Sequence, residues 1–263
     1  MKKLSSKNIL KAITNPAKAF RYLKYNRESR IYDEKLVKGY FKDAATYNTY
    51  RKEIIDSGLI EKMEAQLNDF QRKLKGNLRG IALGTGAMNI YQGIKLYAIL
   101  RHLKPEKVLE TGVCNGASSS FILKALARNN KGQLYSIDFP DVLGVRNDEI
   151  WEGKGSSVIP EQGSTGWLVP PELRSRWSLI LGKSQEKLPP LLEKIGNIDF
   201  FMHDSEHSYA CMTFEFETSY PKIRKGGILA SHDIDDNTSF QDFAAKLDKS
   251  WLAIDHYMGF LIK

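Results

Sequence analysis

Apolar positions recur at two different periods along the chain. Up to Pro105 they repeat three and four residues apart; beyond it, short apolar runs alternate with helical stretches. Residues 31–80 carry the stripe Ile54, Ile55, Leu59, Ile60, Met63, Leu67 and Phe70, which predicts a helical cap or dimerisation element. Gly80, Gly84 and Gly86 mark a loop, and Ile90 to Leu103 is a further helix stopped by Lys104-Pro105.

Strands are then expected at Lys107–Glu110, at Gln133–Ile137 (ending in Asp138), at Trp177–Leu181, at Ile198–Met202 and at Ile228–Ser231. Helices are expected between them at Ser118–Ala127, at Gln185–Ile195 with Pro189-Pro190 as an interruption, and at Ser208–Arg224 with Gly226-Gly227 as its C-cap. A short helix at Phe240–Leu247 precedes two final strands, Leu252–His256 and Gly259–Ile262, whose tight turn makes them antiparallel. Strands alternating with helices predict an α/β fold with a mostly parallel sheet. Ligands of such sheets sit outside the carboxyl ends of the strands, so the residues just after each strand carry the chemistry. Residues 139–176 are rich in Gly, Pro and Ser and too long for a plain connection. The expected division is a helical extension over 1–80 and a ligand-binding domain over 81–263, with 139–176 as an insertion.

Charge changes this picture at one end only. The net charge is +8, and residues 1–30 hold nine Lys/Arg against one acid, Glu28. The rest of the chain therefore sums to zero. A neutral main domain argues against a nucleic-acid partner, which needs a broad positive face. Within the arm, Ile9, Leu10, Ile13, Ala17, Phe20 and Leu23 lie at helical spacing among lysines. Such a helix suits peripheral contact with anionic lipid, or docking on its own domain or on a second copy in a homodimer. No run approaches the roughly 18 apolar residues of a membrane span. Two cysteines and no secretory h-region point to a reducing cytoplasm.

The first strand end carries a glycine loop, Glu110-Thr111-Gly112-Val113-Cys114-Asn115-Gly116-Ala117-Ser118. Gly112 permits a sharp turn, and Gly116 would let backbone approach a ligand at the helix start. Dinucleotide loops read G-x-G-x-x-G; here Cys114 replaces the second glycine and the spacing is G-x-x-x-G. A carboxylate at Glu110 would repel a pyrophosphate and pair with a cationic ligand. Asp138, ending the second strand, suits the hydroxyls of a ribose. A cationic amino-acid part plus a ribose fits S-adenosylmethionine better than NAD, though the same residues would also serve as a plain strand–helix turn.

With these residues the sequence resembles the class I S-adenosylmethionine-dependent methyltransferases. Glu110 to Gly116 is similar to their first motif. Asp199 to Tyr209, then Gly226-Gly227-Ile228-Leu229-Ala230-Ser231-His232-Asp233, is similar to later motifs of the small-molecule and glycan O-methyltransferase branch. The resemblance covers roughly residues 85–263. It implies a Rossmann-like seven-stranded sheet with a final antiparallel strand. It also implies that Gly112, Asn115, Gly116 and Ser118 line the methionine part of the cofactor, that Asp138 holds the ribose, and that Gly182, Lys183 and Ser184 lie near the adenine. Lys183 stands where the family often has an acid. The 139–176 segment resembles the lid and acceptor-binding insertions of this branch; Trp151 and Trp167 would stack on an acceptor or pack the loop down.

Asp204 and His207 follow the fourth parallel strand, and His232 and Asp233 the fifth, so all four would face the ligand crevice. A hydroxyl acceptor needs a base, or a metal that stabilises the alkoxide. Asp204, His232 and Asp233 are the candidate ligands of a divalent ion, Mg²⁺ or another, although an imidazole suits Mn²⁺, Fe²⁺ or Zn²⁺ better. Asp204, His207 and His232 are the candidate catalytic groups. The resulting expectation is an O-methyltransferase of a small molecule or glycan. The alternatives are a metal-free N- or carboxyl-methyltransferase and a nucleotide-binding protein without methyl transfer.

Overall fold

The structure, a computed structural model, describes residues 29–73, 88–142, 158–159, 161 and 163–263. Most of the basic arm, the glycines at 80, 84 and 86, and Trp151 lie outside the described residues.

Residues 29–36 are helical (α1) and open into a wider π-type turn at Val37–Phe41. Asp43 accepts from the Ala45 and Thr46 amides and starts α2, Ala44–Ile55. The single stripe expected over 54–70 is divided: a turn at 56–58 separates α2 from α3, Leu59–Lys73. A reciprocal capping box opens α4, Ile90–Leu103: Asn89 accepts from the Tyr91 and Gln92 amides, and the Gln92 side chain accepts from the Asn89 amide.

The strands are β1 (Lys107–Thr111), β2 (Gln133–Asp138), the short β3 (Asp141–Val142) and β4 (Val158–Ile159), β5 (Trp177–Leu181), β6 (Ile198–His203), β7 (Ile223–Ser231), β8 (Trp251–Ala253) and β9 (Gly259–Ile262). The helices between them are α5 (Ala117–Arg128), α6 (Ser184–Ile195), α7 (Tyr209–Ser219) and α8 (Ser239–Lys246). Seven strands form the main sheet in the order β5-β2-β1-β6-β7-β9-β8. The first five run parallel; β9 pairs antiparallel with both β7 and β8. This is the α/β, Rossmann-like sheet with an antiparallel end that the sequence predicts.

Strand alternation divides the core. Val108, Phe200, Met202, Ile228, Ala230 and Phe260 face α4, α5 and the N-terminal helices. Their neighbours Leu109, Phe201, Leu229 and Leu261 face α6, α7 and α8. Both faces are covered, which is why these strands read as nearly continuous apolar runs.

Two expectations over 185–231 are corrected. Pro189 and Pro190 sit inside α6 without breaking it. The helix expected to reach Arg224 stops at Ser219, a short 3₁₀ turn follows over Tyr220–Lys222, and Gly226-Gly227 lies within β7 and is not a helix cap. Pro221 lacks the amide that another helical turn would need. The β6–β7 register shifts between Ile198 and Phe200, so the glycines sit opposite an irregularity.

One buried cation ties the extension to the sheet. Lys95 of α4, 2% exposed, donates to the Ile254 carbonyl at 2.9 Å, and its Nζ lies 3.5 Å from Asp33 Oδ1. Asp33 also accepts from the Tyr47 hydroxyl at 2.7 Å. Burial pulls the Lys95 ammonium below its ordinary pKa, against the opposing pull of Asp33 and Asp255. Among the described residues no helix is long and apolar enough to cross a membrane.

Candidate active site

The chain order changes direction across the sheet between β1 and β6, and the crevice of such a fold lies outside the strand ends at that point. β1 leads into Gly112, β2 ends at Asp138, β6 leads into Asp204, and β7 leads into His232-Asp233.

The glycine loop is shaped by protein contacts. Gly112 has φ +85°, and a Cβ there would lie 1.8 Å from the Asp204 carbonyl oxygen. Gly116 has φ +87°, and its Cβ would lie 2.8 Å from Gly166 Cα and from Val169 Cγ2. The end of the insertion lies on this loop: Gly166 donates to the Cys114 carbonyl (2.8 Å) and Leu168 to the Asn115 carbonyl (2.9 Å). Gly166 and Val169 fill the side where a Cβ at Gly116 would stand, so protein packing alone requires a glycine there. Cys114 takes φ 48°, a glycine-like conformation, where the family motif has glycine.

Glu110 also departs from expectation. It is wholly buried, and its two oxygens accept from the hydroxyls of Ser118 (2.5 Å), Ser119 (2.6 Å) and Ser136 (2.9 Å). It is thus no pocket-mouth carboxylate for a cationic ligand, and Ser118 is engaged with it. Burial pushes its carboxyl up to about 7, against the lowering effect of the serine hydroxyls. A folded-state value above the ordinary 4.5 means that the folded protein holds this proton more tightly than the unfolded chain does. The stability it contributes is complete below the unfolded value and is lost as pH rises through the folded one. Glu110→Gln removes this dependence. In urea titrations the variant should gain roughly 2–3 kcal/mol relative to wild type between pH 5 and pH 8; a gap that does not change with pH would contradict a buried, protonated Glu110.

Asp138 is 7% exposed, and its Oδ1 accepts from the amides of Val113 (2.9 Å) and Cys114 (3.4 Å). Its Oδ2 is buried without a hydrogen-bond partner, with the Thr165 side chain beside it. Burial raises its carboxyl to about 6. Asn115 is buried, and its Nδ2 likewise lacks a partner. Gly182 donates to the Asp138 carbonyl at 2.8 Å, bringing the β5 end beside β2. Lys183 caps α6 with its Nζ 5.5 Å from the Phe139 ring centre. Ser184 is buried, 3.7 Å from Cys211 Sγ. Phe139, 36% exposed, follows Asp138 directly at the β2 end. Trp167 packs on Phe70 of α3 with ring centres 5.0 Å apart, a contact that fixes the end of the insertion.

The ends of β6 and β7 bring the four expected acids and histidines together. His232 Nδ1 lies 3.2 Å from Asp204 Oδ1 and 3.0 Å from Asp233 Oδ2, and His207 Nε2 lies 3.1 Å from the same Asp233 oxygen. Burial alone would lower the pKa of His232, but Asp204 and Asp233 hold it well above the ordinary value. Burial and the neighbouring His203 push His207 the other way, below its ordinary value. Asp233 has φ 47°, a left-handed backbone of the kind found at working sites. Behind the cluster, His203 and Glu215 form a fully buried pair at 2.6 Å, with Thr111 donating to the same Glu215 oxygen at 2.5 Å.

Residues 109–234, which run from β1 through this cluster, match the family model described as a methyltransferase domain. Over that segment the chain is similar to methyltransferases. The fold agrees with that of solved methyltransferases. The calicheamicin methyltransferase CalS11 is 17% identical, with a TM-score of 0.51, over 77% of this chain and 91% of that one. The Podospora anserina methyltransferase PaMTH1, solved with S-adenosylhomocysteine bound, is 15% identical, with a TM-score of 0.50, over 78% of this chain and 87% of that one. No curated protein matches the chain. Gln92 of α4 touches the cluster from outside the matched segment: its Oε1 lies 3.3 Å from His232 Nε2. No motif signals it, because it reaches the site from an earlier helix.

Proposed function

We propose that this methyltransferase moves the methyl group of S-adenosylmethionine to a hydroxyl of a small molecule or glycan, assisted by a divalent cation. The observation that carries the proposal is the convergence of Asp204, His207, His232 and Asp233 at adjacent strand ends, in the crevice that Asp138 borders. The cofactor's ribose fits the unpartnered Asp138 Oδ2, a buried carboxylate oxygen that still has an acceptor to offer.

The donor set fits a cation. One atom each from Asp204, His232 and Asp233 lie within 4.8 Å of one another. His232 Nδ1 is buried, and neither acid completes hydrogen-bond geometry with it. Two carboxylates and an imidazole suit Mn²⁺, Fe²⁺ or Zn²⁺ better than Mg²⁺. A bound cation would stabilise the alkoxide form of the acceptor. His207, held neutral by its lowered pKa, takes the hydroxyl proton, and Asp233 orients its ring. The acceptor oxygen bonds the methyl carbon as the sulfonium bond breaks, which leaves S-adenosylhomocysteine, the methyl ether and a proton on His207.

A metal-free version has one specific support. His232, held cationic between Asp204 and Asp233, balances their charge by itself. It predicts full turnover in EDTA, where the cation-assisted version predicts none.

Calorimetry with S-adenosylhomocysteine, NAD and a UDP-sugar tests the cofactor: only the first should bind. Asp138→Ala should weaken that binding by roughly 1–3 kcal/mol, through the lost hydrogen bonds to a charged group. Uptake of NAD with indifference to S-adenosylhomocysteine would overturn the proposal.

A further inference from the structure

We infer that Gln92 is a positioning residue that holds a hydrogen on His232 Nε2, so that Nδ1, which faces Asp204 and Asp233, is the ring nitrogen left to meet a cation. The inference deepens the cation-assisted reading and rests on it for its purpose, but it stands on its own geometry.

The Gln92 amide cannot turn over. Its Oε1 accepts from the Asn89 backbone amide at 2.9 Å, and a backbone amide only donates. Its Nε2 donates to Asp255 Oδ1 at 3.1 Å. That Asp255 oxygen also accepts from the amides of Tyr257 (2.9 Å) and Met258 (3.0 Å), so it is an acceptor by three independent contacts. The carboxamide is thereby oriented by partners on both sides, and the group it presents to His232 is an oxygen. His232 Nε2, 3.3 Å from that oxygen, must carry the hydrogen.

With a hydrogen held on Nε2, His232 can meet a cation only through Nδ1. Nδ1 is the atom that faces Asp204 Oδ1 and Asp233 Oδ2, the other two candidate ligands. Histidines that ligate metals commonly donate their other ring N–H to a fixed acceptor, which sets the tautomer and the ring direction. Gln92, 2% exposed and locked by the helix cap on one side and the β8–β9 turn on the other, is such an acceptor.

The test uses the full chain with ring-¹⁵N histidine. Long-range ¹⁵N–¹H spectra should show the His232 Nε2 of wild type protonated, and this hydrogen should exchange with solvent faster in Gln92→Met. Mn²⁺ affinity, read by electron paramagnetic resonance, should fall roughly 10–100-fold in Gln92→Met, with S-adenosylhomocysteine affinity unchanged. A wild-type Nε2 without its hydrogen overturns the inference and needs no variant. Equal Mn²⁺ affinity in wild type and a folded Gln92→Met overturns it as well. If wild type ignores Mn²⁺, the cation-assisted reading fails by itself. The inference is then upheld by an Nε2 hydrogen that exchanges slowly in wild type and faster in Gln92→Met, and overturned by equal exchange in the two.

Discussion

Gly112→Ala should leave little folded protein, and what folds should not bind S-adenosylhomocysteine. The new methyl would sit 1.8 Å from the Asp204 carbonyl oxygen, and both groups are backbone-anchored, so no side-chain rotation relieves the contact. The left-handed conformation at φ +85° adds about 1–2 kcal/mol for any residue with a Cβ. Forced backbone movement in a packed interior adds a further cost of about 1–3 kcal/mol. Together these, about 2–5 kcal/mol, approach the lower end of the stability of an ordinary domain. The same amide donates to Ile137 O at 2.8 Å, so any shift also loosens β1 from β2. Urea midpoints measure the loss. A variant as stable as wild type would mean that the β1 and β6 ends do not meet as described.

Asp233→Ala should remove turnover and leave the cofactor in place. Asp233 Oδ2 contacts both His207 and His232, so one substitution removes a candidate ligand and the group that orients the base. Each of these functions alone is worth about 10²–10⁴ in rate, so a fall of at least 10³ is expected. Mn²⁺ affinity should drop by more than the roughly 10–100-fold expected for removing an outer-shell partner. S-adenosylhomocysteine affinity should change little, since Asp233 lies at the β7 end, across β1 and β6 from Asp138. Retained turnover in a variant that has lost Mn²⁺ binding would favour the metal-free version. Lost S-adenosylhomocysteine binding would make Asp233 a cofactor residue.

The sheet was legible because a buried parallel strand and an amphipathic helix leave different periods, and because Asp138, Asp204 and His232-Asp233 stand just past strand ends. What was not legible is which way a side chain turns once there. Glu110 ends an expected strand, as a ligand-facing acid would, yet strand alternation sends it toward Ser118, Ser119 and Ser136. The partner of Gly116 was hidden for a related reason: Gly166 lies fifty residues further on, in a segment without periodicity. Gln92 was invisible because its meaning depends on an amide orientation fixed by Asn89 and Asp255, a contact no spacing encodes. The helix end at Ser219 was misjudged where Pro221 outweighed an otherwise helical pattern.

The ion pair between Lys95 and Asp33 sets where the polypeptide can be cut. A chain that begins after residue 33 would strand an ammonium group in the interior with only the Ile254 carbonyl and the more distant charge of Asp255 for company. The hairpin that carries Ile254 also carries Asp255, which steadies Gln92 beneath the reaction centre. Trimming the front of this molecule past that residue would therefore be felt at its far end, in the groups proposed to do the chemistry.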